Sequence, residues 1–214
     1  MSAVTTLRKA GRLVVVAVRW ELAIYRNAFR WITRRYDVPA GSTPYPYVGA
    51  VSVLLWAFII GSSVELVAFH LIIPWEQVRL AADVLGIWGV LWMVGLSGSL
   101  HVHPHLVTAE GLRIRNGHSV DVLVPWDRIA TVRRRERSRE KSRALQVDEV
   151  EGGPDVLCVV VASRTEIELV LSRPIRYAVR GTDREIGEIR FLAEDPRALV
   201  AEIERTRRAV SDPA

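Results

Sequence analysis

Three ionisable side chains interrupt two long apolar runs of this 214-residue chain. Glu65 and His70 stand in the run Tyr47–Ile73, and Asp83 stands near the start of the run Leu80–Leu100. An ionisable group at membrane depth costs a few kcal/mol and tends to find a partner. If the two runs fold back on each other around Gln77, His70 falls level with Asp83. Glu65, His70 and Asp83 could then form a proton- or ion-sensitive cluster. The plainer reading leaves His70 and Asp83 among the outer headgroups and turns Glu65 toward another helix. It is the stronger one, because transport pathways need more than two helices.

Two further groups of residues could bind something. His101, His103 and His105 alternate, and alternation along one strand would put all three on one face, as metal ligands are. Pro104 disturbs that strand and no cysteine or nearby carboxylate completes a site, so anchoring at a membrane surface fits them better. No metal or cofactor is expected. The second group is the basic run of Arg133, Arg134, Arg135, Arg137, Arg139, Lys141 and Arg143, broken by Glu136 and Glu140. Near an anionic leaflet each could contribute about 1 kcal/mol. The alternative is a solvated loop. Nucleic acid is a poor match, because no aromatic side chains interleave to stack on bases. The chain has no phosphate-binding glycine loop, nucleophile elbow, paired-histidine zinc motif or CxxC, so catalysis is not expected. The single cysteine, Cys158, lies in the apolar run Val156–Ala162 and reads as a buried structural thiol.

The elements that would carry these residues follow from hydropathy. At about 1.5 Å per residue, Tyr47–Ile73 reaches roughly 40 Å and Leu80–Leu100 roughly 31 Å, each enough to cross a bilayer core. Pro74–Arg79 is a short turn that makes the pair antiparallel, with Trp75 suited to the interface. Arginines crowd both flanks while the turn holds only Arg79, so the positive-inside rule places both termini in the cytoplasm of a multi-pass plasma-membrane protein. Gly61, Ser62 and Ser63 on the first helix, with Gly86, Gly89, Gly95, Ser97, Gly98 and Ser99 on the second, allow close helix approach. They could pack the hairpin or join it to another copy. Residues 1–38 form a basic arm in which Leu13, Trp20, Ile24 and Trp31 alternate with arginines. Such a helix suits the membrane interface; the alternative is packing on the cytoplasmic domain. Residues 39–46 are a turn-rich linker. No cleavable leader is read, since Leu13–Val18 is too short for one.

The net charge of +5 and pI near 9.9 suggest an anionic partner, for which lipid headgroups suffice. Nearly all the basic residues are arginine, which points to a GC-rich bacterial genome.

From residue 101 the period changes to two. Strands are predicted from His105 to Arg135 around an Asn116-Gly117 hairpin turn, with a break at Pro125-Trp126. More follow at Val156–Ala162 and Glu166–Leu171, with weaker ones at Ile175–Val179 and Glu188–Leu192. Asp195-Pro196 starts a helix over 196–210, with Asp as N-cap and Pro at its first position. The expected fold is therefore an α+β membrane protein: a transmembrane hairpin over 47–73 and 80–100, and an antiparallel β domain over 101–214 closed by a helix.

The run Thr108-x-x-Gly111-Leu112-x-Ile114, followed by Val124-Pro125-Trp126-x-x-Ile129-x-x-Val132, resembles bacterial pleckstrin-homology-like domains. The whole chain resembles two-helix integral membrane proteins of actinobacteria that carry such a domain. The charged insertion between Val132 and Val156 departs from compact members. The resemblance implies a small β barrel or sandwich with a terminal helix, and a binding or scaffolding role with no catalytic residues to transfer. The expected function is to tether that module at the cytoplasmic face; an accessory subunit of a transporter or channel, or a membrane-bound enzyme, are the alternatives.

Overall fold

The computed structural model describes residues 3–140, 143–179 and 181–211. Among them the chain is α+β, with four α-helices and two β-sheets. It divides into a helical unit and a β unit, and the β unit also takes in Asp37–Val53.

The helical unit holds α1 (Ala3–Ile32), most of α2 (Gly49–Ile72), and α3 (Glu76–Val102). α2 and α3 are long and apolar enough to cross a membrane. Their connection is tighter than the sequence suggests: only residues 73–75 are outside helix, and Glu76–Arg79 already form the first turn of α3.

α1 is one unbroken helix of 30 residues. It closes on Arg34, whose φ of 54° takes the left-handed position usually given to glycine. The Arg35 N–H returns to the Arg30 carbonyl at 2.7 Å and the Arg34 N–H to that of Trp31 at 3.0 Å, satisfying the last carbonyls. α1 takes neither position expected for the basic arm. It packs along α3. The Trp20 ring tilts against Trp92 with centroids 5.7 Å apart. Ile24 is fully buried against Gly95, and Trp31 stacks on His101 at 4.8 Å. Residue numbers rise together on both helices, so α1 and α3 run parallel. α2 runs antiparallel to both: His70 meets Asp83, and Trp56 meets Trp31 at 5.9 Å.

The β unit has a four-stranded sheet in the order β1 (Thr43–Tyr45), β2 (His105–Val107), β3 (Gly111–Asn116), β4 (Val120–Pro125). All its pairings are antiparallel. The segment expected to be a linker supplies β1. Gly117, at φ +56°, opens the β3–β4 turn. One 3-10 turn at Trp126–Arg128 then leads to the second sheet. Its strands are β5 (Ile129–Ser138), β6 (Leu145–Asp148), β7 (Asp155–Val159), β8 (Arg164–Val179) and β9 (Thr182–Phe191), in the order β5-β8-β9-β7-β6. β7 pairs parallel to β9, so the second sheet is not the simple antiparallel meander expected. The two weak strands predicted at the C-terminal side are parts of the long β8 and β9. The charged insertion is also structured, as the second half of β5 and as β6.

Both sheets turn one apolar face inward. In β4 Val120, Val122 and Val124 are buried while Asp121 and Leu123 are exposed. They share a core with Leu157, Leu169, Ile189 and Phe191 of the second sheet. Helix α4 (Pro196–Ser211) closes it with Leu199 and Ile203. The Asp195 carboxylate accepts the Ala198 N–H at 2.9 Å, the N-cap expected.

The closeness of α1 and α3 rests on small residues. A Cβ at Gly98 would stand 2.9 Å from the Asn27 carbonyl oxygen, where backbone cannot yield. Gly98→Val should therefore cost about 1–3 kcal/mol through overpacking. Gly11→Ala, on α1 with nothing within 4 Å, should cost nothing. Thermal unfolding of the detergent-solubilised full chain compares the two.

Candidate functional site

Of the three ionisable candidates in the apolar runs, the structure joins two. His70 Nδ1 lies 2.8 Å from Asp83 Oδ2. Glu65 stays apart and exposed, on the wall of an open groove of about 370 Å³ with Gly86, Gly89 and Trp92. A polar seam that the sequence did not reveal runs between α1 and α3. Glu21 accepts the Tyr25 hydroxyl at 2.6 Å and the Trp88 indole N–H at 2.7 Å. Deeper along the seam, buried Asn27 donates to Ser99 Oγ at 3.3 Å. The small residues of α3 were legible as a packing face, but nothing local named α1 as what packs there.

The three histidines do not share a strand. His101 belongs to the last turn of α3, where its Nδ1 lies 2.8 Å from the Ser97 carbonyl. His103 falls in the bend that follows, and His105 opens β2. Among the described residues no three histidine, cysteine or acidic side chains come together as a metal site would need.

His105 is instead a core residue of the β unit. Its Nδ1 accepts the Arg115 N–H at 3.0 Å, so the ring proton is on Nε2, which donates to the Leu192 carbonyl at 2.8 Å. Tyr47 and Phe191 pack on the ring at 4.7 and 5.1 Å. Burial pulls its pKa down to about 4. The Arg115 side chain beside it is only 2% exposed. It donates to the Asp37 carbonyl at 2.9 Å and lies 3.4 Å from the Asp37 carboxylate and 3.7 Å from Asp121. Burial lowers the Arg115 pKa, while Asp121 and Asp37 pull the other way. The Tyr47 oxygen accepts the Gly117 N–H at 2.7 Å.

The basic run is a strand and its exit, not a loop. Arg133, Arg134, Arg135 and Arg137 lie on β5; Arg139 and Arg143 follow it; Lys141 lies outside the described residues. Across the outer face of the sheet one row reads Arg133, Glu168, Arg190, Cys158, Gln146, one residue per strand. Glu168, almost fully buried, takes Arg137 at 3.2 Å and stands 4.0 Å from the largely exposed Arg135. Arg139 grips both oxygens of Asp148 and also donates to the Cys158 thiol. The Arg139 hydrogen bond lowers the Asp148 pKa, and burial pushes the Cys158 thiol up to about 11, which keeps it protonated. Arg137 and Arg139 are thus neutralised within the sheet. Arg133, Arg134 and Arg143 are exposed and make no ion pair among the described residues.

A cleft of about 620 Å³ opens beside β6, lined by Arg139, Arg143, Asp148, Glu149, Val179 and Arg184. Its charges largely cancel. Arg184 holds Glu149 at 2.7 Å and Asp155 at 3.1 Å, which leaves Arg143 as the cation with no acid of its own. Comparison with protein-family models, with curated proteins and with solved structures finds no match for the chain.

The buried neutral His105 makes the β unit sensitive to acid. Its folded pKa of about 4 lies below the ordinary 6.5, so the unfolded chain takes up a proton first as pH falls. Stability should be unaffected above about pH 6.5 and be lost progressively down to about pH 4. The loss between pH 7.5 and 5 should be about 2 kcal/mol from this group. His105→Gln should be less stable at pH 7.5 but lose less on acidification, as read from melting curves of the two full-length proteins.

Proposed function

We propose that this chain is an integral protein of the plasma membrane that holds a pleckstrin-homology-like interaction module at the cytoplasmic face, without catalysis of its own. The observation that carries this reading is how little of α2 and α3 is covered. Their most apolar stretches are 6% and 11% buried. Leu54, Phe58, Ile60, Val64, Val67 and Leu71 of α2 are all more than half exposed. Water-soluble proteins rarely expose an apolar patch beyond a few hundred Å²; hydrocarbon removes the penalty. Two sheets around one core, the Thr108–Gly111 turn, the Pro125-Trp126 step into β5 and the closing helix α4 support the pleckstrin-homology-like assignment. The parallel β7–β9 pair is its main departure. The combination with an apolar hairpin supports kinship with the two-helix actinobacterial proteins.

Orientation follows from charge and register together. Arginines gather at the α3 exit and beyond, so the β unit and the C terminus face the cytoplasm. The charges of Arg8, Lys9 and Arg12 alone would put the N terminus there too. The parallel course of α1 and α3 argues otherwise, because a 30-residue helix alongside α3 begins level with Glu76. We therefore assign the start of α1 to the outer side and Arg26, Arg30, Arg34 and Arg35 to the inner. A reporter fused to the N terminus should be attacked by external protease in intact spheroplasts, and one at the C terminus protected; the reverse pattern at either end rejects the assignment.

The partner that the free charge fits is anionic lipid of the inner leaflet. With Arg137 and Arg139 already paired, Arg133, Arg134 and Arg143 remain, contributing about 3 kcal/mol at about 1 kcal/mol each. Native mass spectrometry of the full chain in mixed neutral and anionic lipid should find the anionic species retained preferentially. Replacing these three arginines by glutamine should weaken that preference roughly a hundredfold. Equal retention of both lipids by the unaltered protein removes lipid from the list of partners.

A further inference from the structure

Several charged side chains among the described residues of the helical unit make no ion pair, and two of opposite sign stand far from either end of their helices. Glu65 on α2 and Arg19 on α1 are both exposed, and neither makes an ion pair or side-chain hydrogen bond among the described residues. Their depths agree. Trp20 packs on Trp92, and Ile24 on Gly95, so Arg19 lies level with about residue 91 of α3. His70 meets Asp83, and Leu66 lies against Gly86, so Glu65 lies level with about residue 87. The two are within roughly 6 Å along the helix axis, near the middle of α3. Glu65 lines an open groove with Trp92, and Trp92 packs against Trp20, the residue next to Arg19 in sequence. Gly61, one turn before Glu65, has nothing within 4 Å of where its side chain would be.

We infer that the helical unit binds a second copy of itself about a twofold axis along the membrane normal, with Arg19 of each copy meeting Glu65 of the other at mid-depth. This pairing rests on the membrane placement proposed above. Rotation about the normal keeps every residue at its own depth, and a twofold contact is self-complementary, so whatever meets across it must match in depth and in charge. Arg19 and Glu65 do both, in equal number. Left facing lipid, each would cost a few kcal/mol. From the centre of a ~30 Å core a guanidinium cannot reach either surface. The open space at Gly61 admits the incoming arginine beside the carboxylate.

The full-length chain, carrying two different tags and co-expressed, tests this by co-capture from native membranes cut into polymer nanodiscs. Copies of the unaltered protein should capture each other. Arg19→Glu and Glu65→Arg copies should each fail to capture their own kind, by roughly tenfold or more, because two like charges then face each other. An Arg19→Glu copy should nevertheless capture a Glu65→Arg copy, since every cross-copy contact between them is again opposite in sign. Pairing within one chain cannot produce that rescue. Failure of the unaltered copies to associate overturns the inference, and so does failure of the two reversed copies to rescue each other while remaining monodisperse. Alkaline carbonate washing of the same membranes separates the causes. Protein retained in the pellet but solitary overturns the pairing alone, whereas protein released into the wash overturns the membrane placement with it.

Discussion

α2 and α3 carry more apolar surface than the rest of the chain covers, and that excess sets the terms for every polar group beside them. In a low-dielectric surrounding a satisfied polar network stiffens a structure, while a half-satisfied one is costly. The seam between α1 and α3 follows this in part, since the buried Asn27 Oδ1 and Ser97 Oγ have no hydrogen-bond partner among the described residues. Glu21 receives two donors, Asn27 one hydroxyl partner, and His101 a backbone carbonyl and a stacked tryptophan. α1 is too charged to qualify as a span on composition. It can accompany α3 because α3 presents an indole N–H and a hydroxyl where α1 needs them, and glycines where α1 must come close.

The β unit solves a related problem with arginine. A guanidinium stays charged under all ordinary conditions, so it can be buried only against matched acceptors. Arg115 finds Asp37 and Asp121, Arg137 finds Glu168, Arg139 finds Asp148, and Arg190 finds Glu188. Each of these pairs keeps one partner at least a fifth exposed, so removing that partner costs less than the ~3–5 kcal/mol of a fully buried pair. A dense basic run therefore does not measure available positive charge. On β5 a break in register between Arg134 and Arg137 lets Arg135 and Arg137 approach Glu168, while Arg133 and Arg134 have no acid of their own among the described residues. What remains for a partner is a fraction of what the sequence advertises.

This explains which features could be read in advance. The apolar helices, the α4 cap at Asp195, the Asn116-Gly117 turn and the Pro125-Trp126 break are written in local residue types, and all appear where expected. The His70–Asp83 contact followed from counting along a hairpin folded near Gln77, although fewer residues there lie outside helix than supposed. The packing of α1 on α3, the joining of β1 to β2, and the parallel β7–β9 pair were not legible. Each depends on segments far apart in sequence, and nothing within a window of ten residues distinguishes the outcomes. Residues 39–46 have the prolines and glycine of a linker; only the edge of β2 makes three of them a strand. Likewise Arg133–Ser138 have the composition of a loop, and only Glu168 on the neighbouring strand pays the charge that lets them be β5.

The pairing of β1 with β2 also constrains the hairpin. Thr43–Tyr45 and His105–Val107 lie on opposite sides of the helical excursion, yet they are hydrogen-bonded neighbours. Tyr47, just before α2, is fixed by its contacts with Gly117 and His105 after α3. The chain must therefore leave the β unit and come back to it at one place. The segment between Tyr47 and His105 must end beside where it begins, whatever the hydropathy of the helices between. Two antiparallel helices joined by three residues meet the requirement with little slack. They also shorten the effective loop that the β1–β2 contact has to close, which lowers the entropy cost of a pairing some sixty residues apart in sequence. Closure of the hairpin and completion of the first sheet are thus favourable for the same reason: each brings together the ends that the other needs.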